Sequence, residues 1–244
     1  MSDPRLSVIQ ERLASVRRMV GVTGGKGGVG KTLLATTTAL LLAREGLRVG
    51  LFDLDFAGPS SHVILGIEPA LPREERGIVP PEVDGVAYLS IAQFAKGSLA
   101  PLRGEDQQNI LLELLAIAQW GTLDLLVFDM PPGLSDLCLD AFRWLPRTEY
   151  LVPTTASPLA LAVAERLLRL LKEQHLPLLG VVENLAWRES SHVAQLAERI
   201  GAPFLGVIHW DRTVEETLGH PERLIATPLA EELRKTILPV LVSR

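Results

Sequence analysis

The chain has 244 residues, 47% of them hydrophobic, with a formal net charge of −5 and a single cysteine. That length and apolar content fit one large α/β domain with a sizeable core, and the mildly acidic, well-mixed charge sets aside a generic polyanion binder. The lone Cys138 sets aside an internal disulfide framework and agrees with a reducing compartment.

Residues 1–18 are polar and mildly amphipathic, unlike a signal peptide, and are predicted to form an N-terminal helix packed outside the sheet. No apolar stretch approaches a membrane span. A cytoplasmic protein without stable membrane insertion is therefore expected. From Met19 onward, short apolar runs alternate with helical patterns. The predicted strands are 19–23, 48–53, 86–90, 124–129, 149–153, 178–183 and 204–208. The predicted helices are 31–45, 105–119, 134–144, 158–174, 190–200 and 229–241. This alternation predicts an α/β fold of three layers, a doubly wound and mostly parallel sheet covered on both faces. Residues 19–244 read as a single domain, and 66–84, rich in Pro, Gly and charge, as a lid or insertion within it. Right-handed crossovers would bring the strand C-termini to one edge, where such sheets bind ligands.

The first strand is followed by Gly24-Gly25-Lys26-Gly27-Gly28-Val29-Gly30-Lys31-Thr32 and then by a helix. Gly25, four residues, and Gly30-Lys31-Thr32 have the phosphate-loop spacing in the strand–loop–helix context it requires. Gly25, Gly27, Gly28 and Gly30, with Val29, let backbone N–H groups turn toward an anion, and the helix N-terminus adds its own donors. Lys31 is placed to reach the β- and γ-phosphates of ATP or ADP, and Thr32 to bind Mg²⁺. Lys26, at the loop tip, is surplus to one nucleotide and becomes useful if a second subunit's nucleotide lies opposite.

The second predicted strand ends Asp53-Leu54-Asp55-Phe56-Ala57-Gly58-Pro59-Ser60. Alternate positions on a strand share a side, so the two carboxylates are expected to face the nucleotide together. Asp55 is expected to position the attacking water and Asp53 to support the metal shell. The run Leu125-Leu126-Val127-Phe128-Asp129 is a Walker B pattern whose aspartate holds the metal, usually through water. In Met130-Pro131-Pro132-Gly133, two prolines stiffen the loop and Gly133 is expected to leave its N–H free for a γ-phosphate, which would make a switch. Asn184, after Gly180-Val181-Val182-Glu183, offers a donor and an acceptor to an adenine edge, or is a turn residue.

These motifs resemble those of the MinD/ParA/Mrp ATPases with a deviant phosphate loop. The chain looks like the Mrp/ApbC branch in D-L-D-F-A-G-P-S, the stretch from Gly77 to Phe94, Arg103-Gly104 and Q-W-G-T-L-D-L-L-V-F-D-M-P-P-G-L-S-D, and the patterns D-x-D-x-x-G-P-S and D-x-P-P-G-x-x-D favour it over MinD and ParA proper. The resemblance runs from about Met19 to Asp211. It implies an ATP-sandwich homodimer in which Lys26 contacts the partner's phosphates, and slow, partner-regulated, Mg²⁺-dependent ATP hydrolysis. It also implies a client protein in metal-cofactor assembly, most often of iron–sulfur clusters.

One departure stands out. Cluster carriers of this branch have a Cys-x-x-Cys pair after the adenine-side asparagine, where this chain reads Leu185-Ala186-Trp187-Arg188-Glu189-Ser190-Ser191-His192. Cys138 alone gives two thiolates per dimer, whereas clusters usually take four ligands, so no iron–sulfur cluster is expected on its own cysteines. Trp187 is open to reading as a partner contact or a packing anchor, and His192 as an exposed residue or a replaced ligand. His209 stands where the family usually has proline near the base. The alternative is a MinD/ParA-like positioning ATPase that binds a membrane or nucleoid surface when ATP-bound. It would need a basic patch or a basic amphipathic tail. No nucleic-acid-binding feature is evident, and Pro239 interrupts the last helix.

Overall fold

The computed structural model describes residues 3–94 and 104–242. In chain order it contains α1 (Arg5–Arg12), β1 (Val16–Val22), α2 (Lys31–Arg44), β2 (Val49–Asp53), α3 (Ser61–Leu65), β3 (Arg73–Glu74), β4 (Ile78–Val79), β5 (Glu82–Val83) and β6 (Val86–Ser90). A 3₁₀ turn at Ile91–Phe94 closes this half. There follow α4 (Gly104–Ile117), β7 (Leu123–Asp129), α5 (Asp136–Trp144), β8 (Glu149–Thr154), α6 (Pro158–Glu173), β9 (Leu178–Ala186), α7 (His192–Ile200) and β10 (Phe204–His209). The chain continues through α8 (Thr213–Thr217), α9 (Pro221–Leu224), α10 (Pro228–Thr236) and α11 (Leu238–Val242).

Among the described residues, the main sheet has the order β10-β9-β8-β1-β7-β2-β6-β5. Every pairing in it is parallel except that of β5 with β6. The fold is thus the expected doubly wound α/β architecture. Strand β7 shows why its sequence reads as a continuous apolar run. Leu126 and Phe128 enter one core with Phe52 and Trp120, under helices α1 and α4 to α7. Leu125 and Val127 enter the other with Val20, Val22, Leu34 and Leu233, under α2 and α10. A strand buried on both faces has no polar side to alternate with.

The topology positions the site. From β1 the chain crosses over one face to β2, and from β7 it crosses the other face to β8. The connections diverge around β1, so a crevice opens beyond its C-terminal end.

Three expectations change in detail. Strand β1 starts at Val16, so a boundary between residues 18 and 19 would cut a strand. Arg17 and Arg18 disguise that start. Arg18 sits at the sheet's lower rim, where it meets the Glu149 carboxylate and donates to the carbonyls of Val240 and Leu241 at 2.8 and 2.7 Å. The predicted final helix is two helices meeting at Ile237, because Pro239 cannot continue a helix but is tolerated in a first turn. Within 66–84, β3 and β4 pair as an antiparallel hairpin and β5 extends the sheet edge. The helix α3 leading into it ends at Gly66, where a Cβ would lie 2.1 Å from the Gly219 carbonyl oxygen. Arg103, part of the resemblance, lies outside the described residues.

Candidate nucleotide-binding site

The loop between β1 and α2 forms the floor of a cleft of about 490 Å³. Gly28 and Gly30 both have φ of +80°, a conformation that favours glycine. A Cβ on Gly27 or Gly28 would meet nothing within 4 Å, so this part of the loop faces open space. Gly25 and Val29 look inward: a Cβ on Gly25 would press on Val163 of α6, and Val29 is buried. The bare backbone of Gly27 and Gly28 is therefore what the loop offers a ligand, as an anion cradle requires.

Lys31, at the start of α2, is buried, and its Nζ bonds Oδ1 of Asp129. Asp129 sits at the end of β7 in register with Val22 of β1 and Asp53 of β2. The sheet thereby sets two fully buried carboxylates side by side beneath one lysine. Burial is the main cause that pushes the Asp129 carboxyl up to about 6; the Lys31 charge opposes the shift and the Asp53 charge adds to it. The nearby Thr32 hydroxyl opposes the shift as well. Burial raises Asp53 too, against the Ser61 hydroxyl, the Asp55 N–H and Lys31.

These residues fit Mg²⁺ and a nucleotide. Asp129 Oδ2 is buried and lacks a hydrogen-bond partner. Two carboxylates face one lysine, an excess of negative charge that a divalent cation beside Thr32 and Asp129 would neutralise. Such a cation would supply charge stabilisation to the phosphates, with Lys31 and the loop N–H groups holding them.

Asp55 departs from expectation in how it is placed. Strand β2 stops at Asp53, so strand alternation does not set both acids on one side. Asp55 instead lies in a turn, its Oδ1 accepting from Ala57 N and Gly58 N at 3.1 Å, and it lines the cleft. Asp53 points into the protein, accepting from Ser61 Oγ, from Ser61 N at 3.2 Å and from Asp55 N at 3.0 Å. Lys26 is exposed at the loop tip and makes no ion pair among the described residues. The Gly133 N–H, expected to be free, donates to Gly24 O at 3.0 Å, which ties the Pro131-Pro132-Gly133 loop to the phosphate loop.

Asn184 is fully buried and donates from Nδ2 to Val29 O at 2.8 Å. Its amide thus braces the phosphate loop from below, while its buried Oδ1 lacks a partner. Cys138 is buried under the same loop, 4.0 Å from Thr23 Oγ1, and burial pushes its thiol up to about 12. His192 is exposed at the first turn of α7, and His209 Nδ1 lies 2.8 Å from Glu232 Oε1. Among the described residues, no group of three or more His, Cys, Asp or Glu is arranged to hold a metal ion, and no helix is long and apolar enough to cross a membrane.

Sequence reasoning missed two supports. Ser61 Oγ bonds both Asp53 and, at 2.9 Å, the Tyr88 hydroxyl. The quoted motif stops one residue short, at Ser60, and Tyr88 reads only as a strand aromatic. The cleft's far wall is formed by Trp210 and Asp211, in the turn with His209 that the resemblance sets near the base.

The family model described as ParA, NUBPL iron-transfer P-loop NTPase, matches residues 15–241. The chain belongs to this family. It is 42% identical over 179 residues to an iron-sulfur cluster carrier protein of Pseudomonas fragi, covering 71% of this chain and 62% of the relative. It is 31% identical over 247 residues to one of Aquifex aeolicus, covering 95% and 68%. The chain therefore spans about two thirds of the length of these relatives. Among solved structures, it resembles a nucleotide-binding protein from Archaeoglobus fulgidus in complex with ADP, with a TM-score of 0.77, 26% identity and coverage of 90% and 92%. The cell division ATPase MinD of Pyrococcus furiosus shares the fold, with a TM-score of 0.67, 21% identity and coverage of 90% and 99%.

Removing the Ser61 hydroxyl would strip the buried Asp53 carboxylate of its closest donor. Ser61→Ala is expected to lower stability by about 1–3 kcal/mol, read as a shift in the urea midpoint. An unchanged midpoint would show that Asp53 does not depend on this bond.

Proposed function

We propose that this chain is a Mg²⁺-dependent ATP hydrolase that works as a homodimeric switch in the assembly of metal cofactors. The observation that carries the reading is the buried Lys31–Asp129 pair at the foot of an open glycine loop. Thr32 and Asp129 would hold Mg²⁺, with Asp53 behind them, and the metal would supply charge stabilisation to the phosphates. Lys31, now bonded to Asp129, is placed to bind those phosphates, and Gly25, Gly27, Gly28 and Gly30 shape the cradle. Asp55, held in its turn at the cleft wall, orients the attacking water. Gly133 exchanges its bond to Gly24 for one to the γ-phosphate, which couples nucleotide state to the loop before α5. Asn184 keeps its brace on Val29 and offers its free Oδ1 toward the base.

Lys26 is the residue for a second copy. It is exposed and without an ion pair among the described residues, a suitable cation for phosphates presented from the partner subunit. The relatives are named iron-sulfur cluster carrier proteins, which supports a part in handling such a cluster or its metal; in this reading the chain serves a client protein in the cytoplasm. The burial of Leu233, Leu238 and Leu241 supports this over the surface-binding alternative, since the last helices spend their apolar residues on the core.

Lys31→Ala is expected to abolish ATP binding, whereas Lys26→Ala retains binding and loses the ATP-dependent dimer. Asp55→Ala binds ATP, hydrolyses it slowly and accumulates as dimer. Equilibrium binding and sedimentation with ATP and Mg²⁺ separate the three. Undiminished turnover by Lys31→Ala would remove the phosphate-loop assignment.

The chain is read as acting on a client without holding a cluster on its own cysteines, since Cys138 is buried with its thiol protonated. Anaerobic reconstitution with iron and sulfide is expected to leave no stoichiometric cluster absorption. A cluster lost in both Cys138→Ser and His192→Ala would contradict this and assign a mixed ligand set.

A further inference from the structure

The end of the molecule opposite the cleft carries a groove of its own. Strands β1 and β8 are parallel, so their N-terminal ends share the sheet edge away from the phosphate loop. Helix α5 ends there at Trp144, and residues 145–148 lead into β8. Two depressions flank this connection and share Pro146. One, of about 380 Å³, lies between α5 and α6 and is walled by Leu139, Phe142, Leu170 and Leu176. The other, of about 300 Å³, lies between α1 and the end of α5 and is walled by Ile9, Leu13, Met19 and Trp144.

Helix α5 presents more apolar surface than its own packing uses. It buries Leu137, Cys138, Ala141 and Phe142, yet Leu139 is 38% exposed. Leu139 and Arg143 are four positions apart and share the outer face of the helix. The charge beside them is one-sided. The chain carries a net −5, whereas Arg143 and Arg147 line the two depressions and no acid does among the described residues. Neither arginine is fully engaged inside the molecule. Arg147 Nη2 donates to the Leu13 carbonyl at 3.0 Å and has no carboxylate partner among the described residues. Arg143 reaches Asp140 at 3.7 Å, and Asp140 also accepts from Gln108 Nε2 at 2.5 Å. A guanidinium has five donors, so both arginines have donors to spare for an incoming carboxylate.

We propose that this groove docks an acidic amphipathic helix of a partner protein, which seats one large apolar side chain in each depression, across Pro146, and sets carboxylates against Arg143 and Arg147. Helix-in-groove recognition places its apolar anchors at i, i+3, i+4 and i+7 spacing. Arginine and tryptophan beside apolar hollows are where binding energy concentrates. The groove is small, so the contact is a transient one. Its position leaves the cleft open, and both sites can be occupied at once.

Fluorescence anisotropy of a labelled helical peptide, with leucines at that spacing and glutamates flanking them, tests this on the full chain. The same peptide with lysines in place of the glutamates is the control. The parent is expected to bind the glutamate peptide and not the lysine peptide, with an affinity that falls as salt rises. Leu139→Ser is expected to weaken binding about tenfold or more, as loss of a buried leucine does. Arg143→Glu combined with Arg147→Glu is expected to lose the glutamate peptide and to gain the lysine peptide. That exchange of preference separates charge pairing from misfolding, and the urea midpoint checks the fold of each variant. Equal binding of the two peptides, binding of neither, or undiminished binding by Leu139→Ser would overturn the proposal. So would adsorption of the parent to phosphatidylglycerol vesicles in place of the peptide, which would make this face a lipid contact.

Discussion

One lysine and one carboxylate held out of water at the foot of an open loop constrain the rest of this structure. Lys31 and Asp129 are both buried and bonded to each other. Taking two charges out of water is repaid only when geometry is good and other polar atoms are satisfied, and removing one partner costs about 3–5 kcal/mol. Here satisfaction is incomplete by one atom, Asp129 Oδ2. A second buried carboxylate, Asp53, leaves the local charge negative, and Ser61 with Tyr88 makes that tolerable. An arrangement that costs stability and leaves one oxygen unpaired is what a cation and a phosphate would complete.

The sheet supplies the precision. Val22, Asp129 and Asp53 sit in register on three adjacent parallel strands, so the glycine loop and the two buried carboxylates emerge at one level. Helices on both faces bury those strands, which is why the middle of each is apolar and its charged residues lie toward its ends. The loop is braced from below by Asn184 on Val29 and from the side by Gly133 on Gly24. Both braces join segments distant in sequence, and either can transmit the state of the loop to its surroundings.

Much of this was legible in the sequence, for physical reasons that can be named. Glycine spacing before Lys31 and apolar runs ending in Asp53 and Asp129 are local signals, and the strand–loop–helix order places them without tertiary knowledge. What was hidden depended on partners far along the chain. Strand β1 begins under two arginines because Arg18 finds Glu149 and the C-terminal carbonyls. Asp55 looked like a strand neighbour of Asp53, but the strand ends and a turn captures its side chain. Ser61 carries no motif, and its role appears only when α3 folds back over Asp53. Trp187 and Trp210 lie in separate loops, and nothing local announces that they stack, with ring centroids 4.1 Å apart.

The central claim is that the orphaned oxygen of Asp129 belongs to a metal that accompanies a nucleotide. The direct measurement is calorimetric binding of ADP with and without Mg²⁺ to the parent chain and to Asp129→Asn. The parent is expected to gain affinity on addition of Mg²⁺, while Asp129→Asn binds ADP with little or no such gain. An equal gain in both proteins would place the metal elsewhere and contradict the account.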